Sequence, residues 1–116
     1  MRRQTMSEQT FLVLTVLAEG PLHGYGIVRA VSELSDEQVV LRVGTLYGVL
    51  DRLSADGLVG LDREEVHNGR LRRYYRLTED GMTALSREAA HRAETAQVAT
   101  QRLRARGFRP APGGGA

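Results

Sequence analysis

The chain has 116 residues, 41% of them hydrophobic, which suits one domain with a modest core and leaves a small monomer little stability to spare. Cysteine is absent, which excludes a disulfide framework and a thiolate metal site, and the longest apolar run, Phe11 to Ala18, is far too short to cross a bilayer. The net charge is only +2, with arginine supplying all 16 basic residues, a usage that the codon bias of a GC-rich genome explains without appeal to function.

A first helix is expected from Thr5 or Ser7 to Glu19, with Phe11, Leu14, Leu17 and Ala18 at helical spacing and Gly20-Pro21 ending it. Leu12, Val13 and Val16 widen its apolar surface, as suits a helix covered both by its own domain and by a second subunit. A second helix starts near His23-Gly24, carries Ile27, Ala30, Val31 and Leu34 on one face, and ends around Ser35-Asp36. His23 is expected to fix the turn that opens this helix through a hydrogen bond.

After the connection Glu37 to Arg42, a third helix spans Val43 to Ala55. Leu46, Leu50 and Leu53 share one face, while Gly44, Gly48 and Asp51 leave the opposite face free of bulk. Gly57 can take the left-handed conformation that closes it.

Leu58 to Val66 and Leu71 to Leu77 then read as two strands around the turn His67-Asn68-Gly69-Arg70, because Asn-Gly accepts positive φ at both central positions of a type I′ turn. Strand alternation sets Arg70, Arg72, Tyr74 and Arg76 on one face. Leu71, Tyr75 and Leu77 face inward, with Arg73 the polar member of their set. Arg70, Arg72, Arg73 and Arg76 have no acid among them, whereas Asp62, Glu64 and Glu65 crowd the preceding strand.

Thr78 is a good N-cap for a last helix running to Arg106, with Glu79 and Asp80 suiting its first turn. At 1.5 Å per residue that helix is about 43 Å long, more than so small a domain can cover. Met82, Leu85, Ala89, Ala96, Ala99 and Leu103 follow a three-four spacing broken only by Arg92, as expected for packing along a partner helix. The expected architecture is mainly α with a small β-hairpin: a winged helix-turn-helix over residues 1–77, a dimerisation helix over 78–106, and a tail of disordered composition over 107–116.

Four segments, taken in order, resemble the PadR family of bacterial transcriptional regulators, in its shorter subfamily. They are Glu19-Gly20-Pro21-Leu22-His23-Gly24-Tyr25, Gly44-Thr45-Leu46-Tyr47, Asp56-Gly57-Leu58 and Arg72-Arg73-Tyr74-Tyr75-Arg76-Leu77-Thr78, and the likeness covers nearly all of residues 10 to 81. The chain departs from the family in carrying Gly48 where proline commonly follows, and Arg73 in place of the usual lysine. Some short relatives stack aromatic ligands on a tryptophan of the last helix; this chain has none, so a stack of that kind is not implied.

For a third helix that enters a major groove N-terminus first, Arg42, Thr45 and Tyr47 are candidates for contact with double-stranded DNA, with Arg52 further along. Thr45 can instead cap the helix, Tyr47 can pack beside Leu46 and Leu50 while its hydroxyl reaches a phosphate, and Arg52 can pair with Asp51, Asp56 or Glu33. On the wing, Arg70, Arg72 and Arg73 can reach the phosphate backbone, and Arg72 and Arg73, beside the turn, can also enter the minor groove or instead pair with Glu64 and Glu65. The resemblance implies a homodimeric repressor at an inverted-repeat operator, released by a small hydrophobic or aromatic effector held between subunits, for which Phe11, Met82 and Leu85 are candidate pocket residues.

The histidines His23, His67 and His91 lack metal-ligand spacing, no nucleophile has a base beside it, and the glycines form no phosphate loop, so neither metal, cofactor nor catalysis is expected. Arg2 and Arg3 precede no adequate apolar stretch, and a cytoplasmic protein is expected. The rival reading is a winged-helix sensor of small molecules, or a protein-interaction module, that does not read DNA; Asp51 and Asp56 on the third helix favour it.

Overall fold

Ser7 opens the first helix: its hydroxyl accepts the Thr10 backbone N–H at 3.1 Å, satisfying one of the donors that a helix start leaves bare. The computed structural model describes residues 6–109. Its elements are α1 (Glu8–Leu17), β1 (Leu22–His23), α2 (Gly24–Leu34), α3 (Val43–Ala55), β2 (Val59–His67), β3 (Arg70–Leu77) and α4 (Glu79–Ala105). The chain forms two compact units, the first ending at Ser86 and the second beginning at Arg87.

The core of the first unit gathers Val13, Leu14, Val16 and Leu17 of α1, Ile27 and Val31 of α2, Leu46, Val49, Leu50 and Leu53 of α3, and Val59 and Leu77 at the base of the hairpin. Each buried aliphatic side chain contributes about 1.5–3 kcal/mol relative to exposure. Leu34 is a correction to the sequence expectation: at the last position of α2 it is 52% exposed, because the chain turns away there. Asp36 (φ 51°) and Glu37 (φ 64°) make that turn in left-handed conformations, with the Glu37 N–H donating to the Ser32 carbonyl at 2.7 Å. The Ser35 hydroxyl takes the Val39 N–H at 3.0 Å and ties down the connection to α3.

α3 closes as its residues require. Gly57 (φ 76°) donates to the Ser54 carbonyl at 3.1 Å and Leu58 to Leu53 at 2.9 Å, the paired bonds of a Schellman ending. The chain then runs into a three-stranded antiparallel sheet of order β1-β3-β2. The hairpin turns on Asn68 (φ 51°) and Gly69 (φ 75°), both left-handed as a type I′ turn demands. β1 is an element that the alternation pattern did not foretell: two residues, Leu22 and His23, pair with Tyr75 and Tyr74. The β2–β3 register shifts between Leu61 and Arg63, so Leu61 opposes Tyr75, Arg63 opposes Tyr74, and Asp62 bulges out.

Leu71 is the second correction. Although it shares a face with Tyr75 and Leu77, it is 59% exposed, since the hairpin runs on past the body of the domain and both its faces are solvated there.

Thr78 joins the hairpin to α4. Its hydroxyl donates to the Gly57 carbonyl at 2.7 Å and accepts the Gly81 N–H at 3.0 Å. In the second unit Arg92, which interrupts the apolar spacing of α4, donates to buried Glu88 one turn earlier at 2.9 Å. Gly107 (φ 82°) and Phe108 close the helix with bonds to the carbonyls of Arg104 and Leu103. The expected disordered tail falls mainly on residues 110–116, which lie outside the described residues.

Candidate nucleic-acid interface

The sequence of α3 divides its surface cleanly. Leu46, Val49, Leu50 and Leu53 are buried, while Arg42, Thr45, Tyr47, Gly48, Asp51 and Arg52 are exposed, and a side chain added at Gly44 or Gly48 would meet only open space. Arg42 occupies the N-cap position, with extended backbone and no side-chain capping bond.

Tyr47 is positioned by a glycine on another helix. A Cβ at Gly24 would stand 3.0 Å from the tyrosine hydroxyl, so the phenol lies against the start of α2. There it borders an open groove of about 440 Å³ whose other wall is the hairpin, with Arg70, Leu71, Arg72 and Arg73 beside Asn68 and His67. The fold thus brings together Tyr47 and all three candidate wing arginines. Thr45 and Arg42 stand outside that lining, and Arg52 borders a separate depression of about 230 Å³ beside Ser7, Thr10 and Asp56. Of the partners considered for Arg52, Glu33 faces Arg29 at 3.6 Å.

The wing's charges are partly spoken for. Arg73 Nε donates to Glu64 Oε2 at 3.1 Å, directly across the strands, with both side chains well exposed. An exposed pair of this kind is worth about 0–1 kcal/mol, so a phosphate can displace the carboxylate at little cost. Glu65 is engaged by Arg63, whose Nε donates to it at 2.6 Å, and that bond holds the carboxyl below its ordinary range. The same guanidinium lies 3.9 Å from the centre of the Tyr74 ring.

Tyr74 meets His23 on its other side, ring centres 5.3 Å apart and edge to face. This corrects the expectation for His23: its side chain makes no capping hydrogen bond, and it holds the start of α2 through ring packing and the β1–β3 ladder. Burial, then the charge of Arg72, then His67, lower its pKa below 6.5. On the opposite face, burial foremost and then Tyr47 push the Tyr75 hydroxyl up.

Tyr25, 74% exposed, lines the groove and was not among the candidates. Its signal was the glycine on either side, Gly24 and Gly26, which clears space for Tyr47 and for the His23 ring. Phe11, Met82 and Leu85 border neither depression; Leu85 packs on the core, whereas Met82 is 56% exposed. Among the described residues no group of three or more acidic or histidine side chains gathers as a metal site, and no helix is long and apolar enough to cross a membrane.

Three helices followed by a basic hairpin that flanks the third define a winged helix-turn-helix, here extended by the long helix α4. A transcriptional regulator from Clostridium thermocellum has a similar structure, with a TM-score of 0.69 and 26% identity over 79% of this chain and 89% of that one. Bacillus subtilis PadR, solved in complex with operator DNA, is similar in fold, with a TM-score of 0.62 and 22% identity over 69% of this chain and 46% of that one. A 37.1 kDa protein of a Streptomyces fradiae transposon is 47% identical over 53 residues, 46% of this chain but only 15% of that protein. Residues 13–87 match the model of the Transcriptional regulator PadR-like family, and the chain belongs to that family.

Proposed function

We propose that the chain is a cytoplasmic, homodimeric repressor that places α3 in the major groove of an inverted-repeat operator while the wing arginines grip the adjoining backbone. The observation that carries this reading is the groove shared by Tyr47 of α3 and Arg70, Arg72 and Arg73 of the wing. The likeness in fold to a PadR solved with operator DNA supports it. Arg42 and Thr45, at the leading end of α3, would reach base edges or phosphates, and Arg52 would meet the backbone further along.

Dimerisation is supported by α4, where Met82, Val98 and Leu103 are exposed apolar residues and Ala89, Ala96 and Ala99 are exposed small ones. A second α4 would cover them and set two copies of α3 one helical turn of DNA apart, roughly 34 Å. A hydrophobic or aromatic effector held near Phe11, Met82 and Leu85 would change the angle between the two reading heads and weaken operator binding.

Fluorescence anisotropy with the DNA upstream of its own gene tests this reading. Replacing Arg72 and Arg73 by alanine should weaken binding and flatten its salt dependence, by close to one unit of slope for each phosphate that the wing no longer holds. A purified protein that is monomeric at micromolar concentration, or that does not prefer this DNA to random duplex, would overturn it. Stoichiometric uptake of a hydrophobic dye in that second case would favour the sensor.

A further inference from the structure

Val66 and Leu71 oppose each other across the hairpin, one pair back from the turn, and are 74% and 59% exposed. Isolated apolar residues on a surface are ordinary. These two are a directly facing pair on the hairpin face that buries Val59 and Leu77 further back, and the Glu64–Arg73 ion pair separates them from that core. Leu71 lines the same groove as Tyr47, and the pair is bordered by His67 and Arg70 toward the turn and by Glu65 and Arg72 behind, the Glu65 carboxylate being held by Arg63. The wing therefore ends in a narrow apolar blade flanked by Arg70 and Arg72.

That combination selects its occupant. The minor groove of duplex DNA offers a strip of deoxyribose carbon and hydrogen between two rows of phosphates, which matches an apolar blade between arginines. A second copy of the wing would set Arg70 and Arg72 against their own kind, and like charges placed opposite each other repel. We propose that Val66 and Leu71 seat against the sugar walls of the minor groove, so that the wing binds by apolar contact as well as by charge. The inference rests on the DNA-binding reading above.

Apolar contact displaces no counterions, which gives it a signature separate from that of the arginines. The experiment compares the full-length protein with Val66→Thr/Leu71→Thr, which keeps strand propensity, on two labelled duplexes: the region upstream of its own gene and a random sequence. The double variant should bind both about five- to tenfold more weakly, with the salt slope unchanged. Hydroxyl-radical cleavage, which attacks sugars from the minor groove, should show a patch of protection that the double variant loses and Val66→Ile/Leu71→Met restores.

Unchanged affinity and protection in the double variant would overturn the proposal while leaving the DNA reading intact. Failure of the unaltered protein to bind either duplex would overturn the reading itself, and the blade with it. Both residues are exposed, so the thermal midpoint should hold; should it fall, Val66→Thr alone, footprinted well below its midpoint, decides by the same protection.

Discussion

The Leu58 carbonyl lies directly against the α-carbon of Gly81, closer than any methyl group could tolerate, so that the first turn of α4 rests on the backbone at the base of the wing. Leu77 closes the other side of the same space, with its Cδ1 only 2.8 Å from where a Cβ would stand. Gly81→Ala should therefore destabilise the protein by about 2–3 kcal/mol, as overpacking against a part that cannot rotate away does. Gly48→Ala supplies the contrast. A methyl there meets nothing, and replacing a mid-helix glycine should stabilise by about 0.5–1 kcal/mol. Thermal melts of the two variants should move in opposite directions.

Thr78 acts on the same junction through hydrogen bonds. Thr78→Val keeps the shape but removes both the bond to the Gly57 carbonyl and the cap on the Gly81 N–H, which should cost about 1–2 kcal/mol. Thr78→Ser, which keeps the hydroxyl, should recover most of it in urea denaturation.

The connection between α2 and α3 holds Glu37 at φ 64°, where a residue with a Cβ is disfavoured by about 1–2 kcal/mol. Glycine avoids that cost but loses more backbone freedom on folding, so Glu37→Gly should be stabilising by about 0.5–1 kcal/mol net. A lower thermal midpoint for this variant would mean that the carboxylate has a role that outweighs the backbone.

His23 makes stability depend on pH. Its folded pKa lies below the ordinary 6.5, so the unfolded chain binds the proton more readily. Its contribution is complete above 6.5 and is lost as the pH falls through the lower, folded value. The imidazole C–H resonance should titrate with a midpoint below 6.5, and His23→Gln should lose less stability than the unaltered protein between pH 7 and 5. Arg72→Ala should raise the midpoint only partway, since burial outranks the arginine among its causes.

Much of this fold can be read from patterns that repeat. Leu46, Leu50 and Leu53 mark the buried side of α3, Gly57 marks its end, and Asn68-Gly69 marks the hairpin turn, because each feature is local to a few residues. The wing arginines were legible as a cluster for the same reason. What escaped depends on neighbours distant in sequence. The strand β1 exists because Leu22 and His23 meet Tyr75 and Tyr74 some fifty residues later, and no alternation shows in two residues. Exposure of Leu71 depends on how far the hairpin outruns the domain, and Tyr25 joins the groove only through its neighbourhood with Tyr47 and the wing.

The odd residue in the hairpin decides how the wing is aimed. β2 has nine residues and β3 eight, since the Val59–Leu77 pair sets the alignment at the root and the two-residue turn sets it independently at the tip. The mismatch of one is absorbed at Asp62. Proximal to it the inward positions of β2 are odd-numbered, Val59 and Leu61, and beyond it they are even, Glu64 and Val66. Were the ladder to run on from the root without that extra residue being skipped, Arg63 and Glu65 would swing to the inner face and Val66 to the outer. One looped-out aspartate thus returns Val66 to the side that buries Val59 at the root, with the Glu64–Arg73 ion pair lying between them.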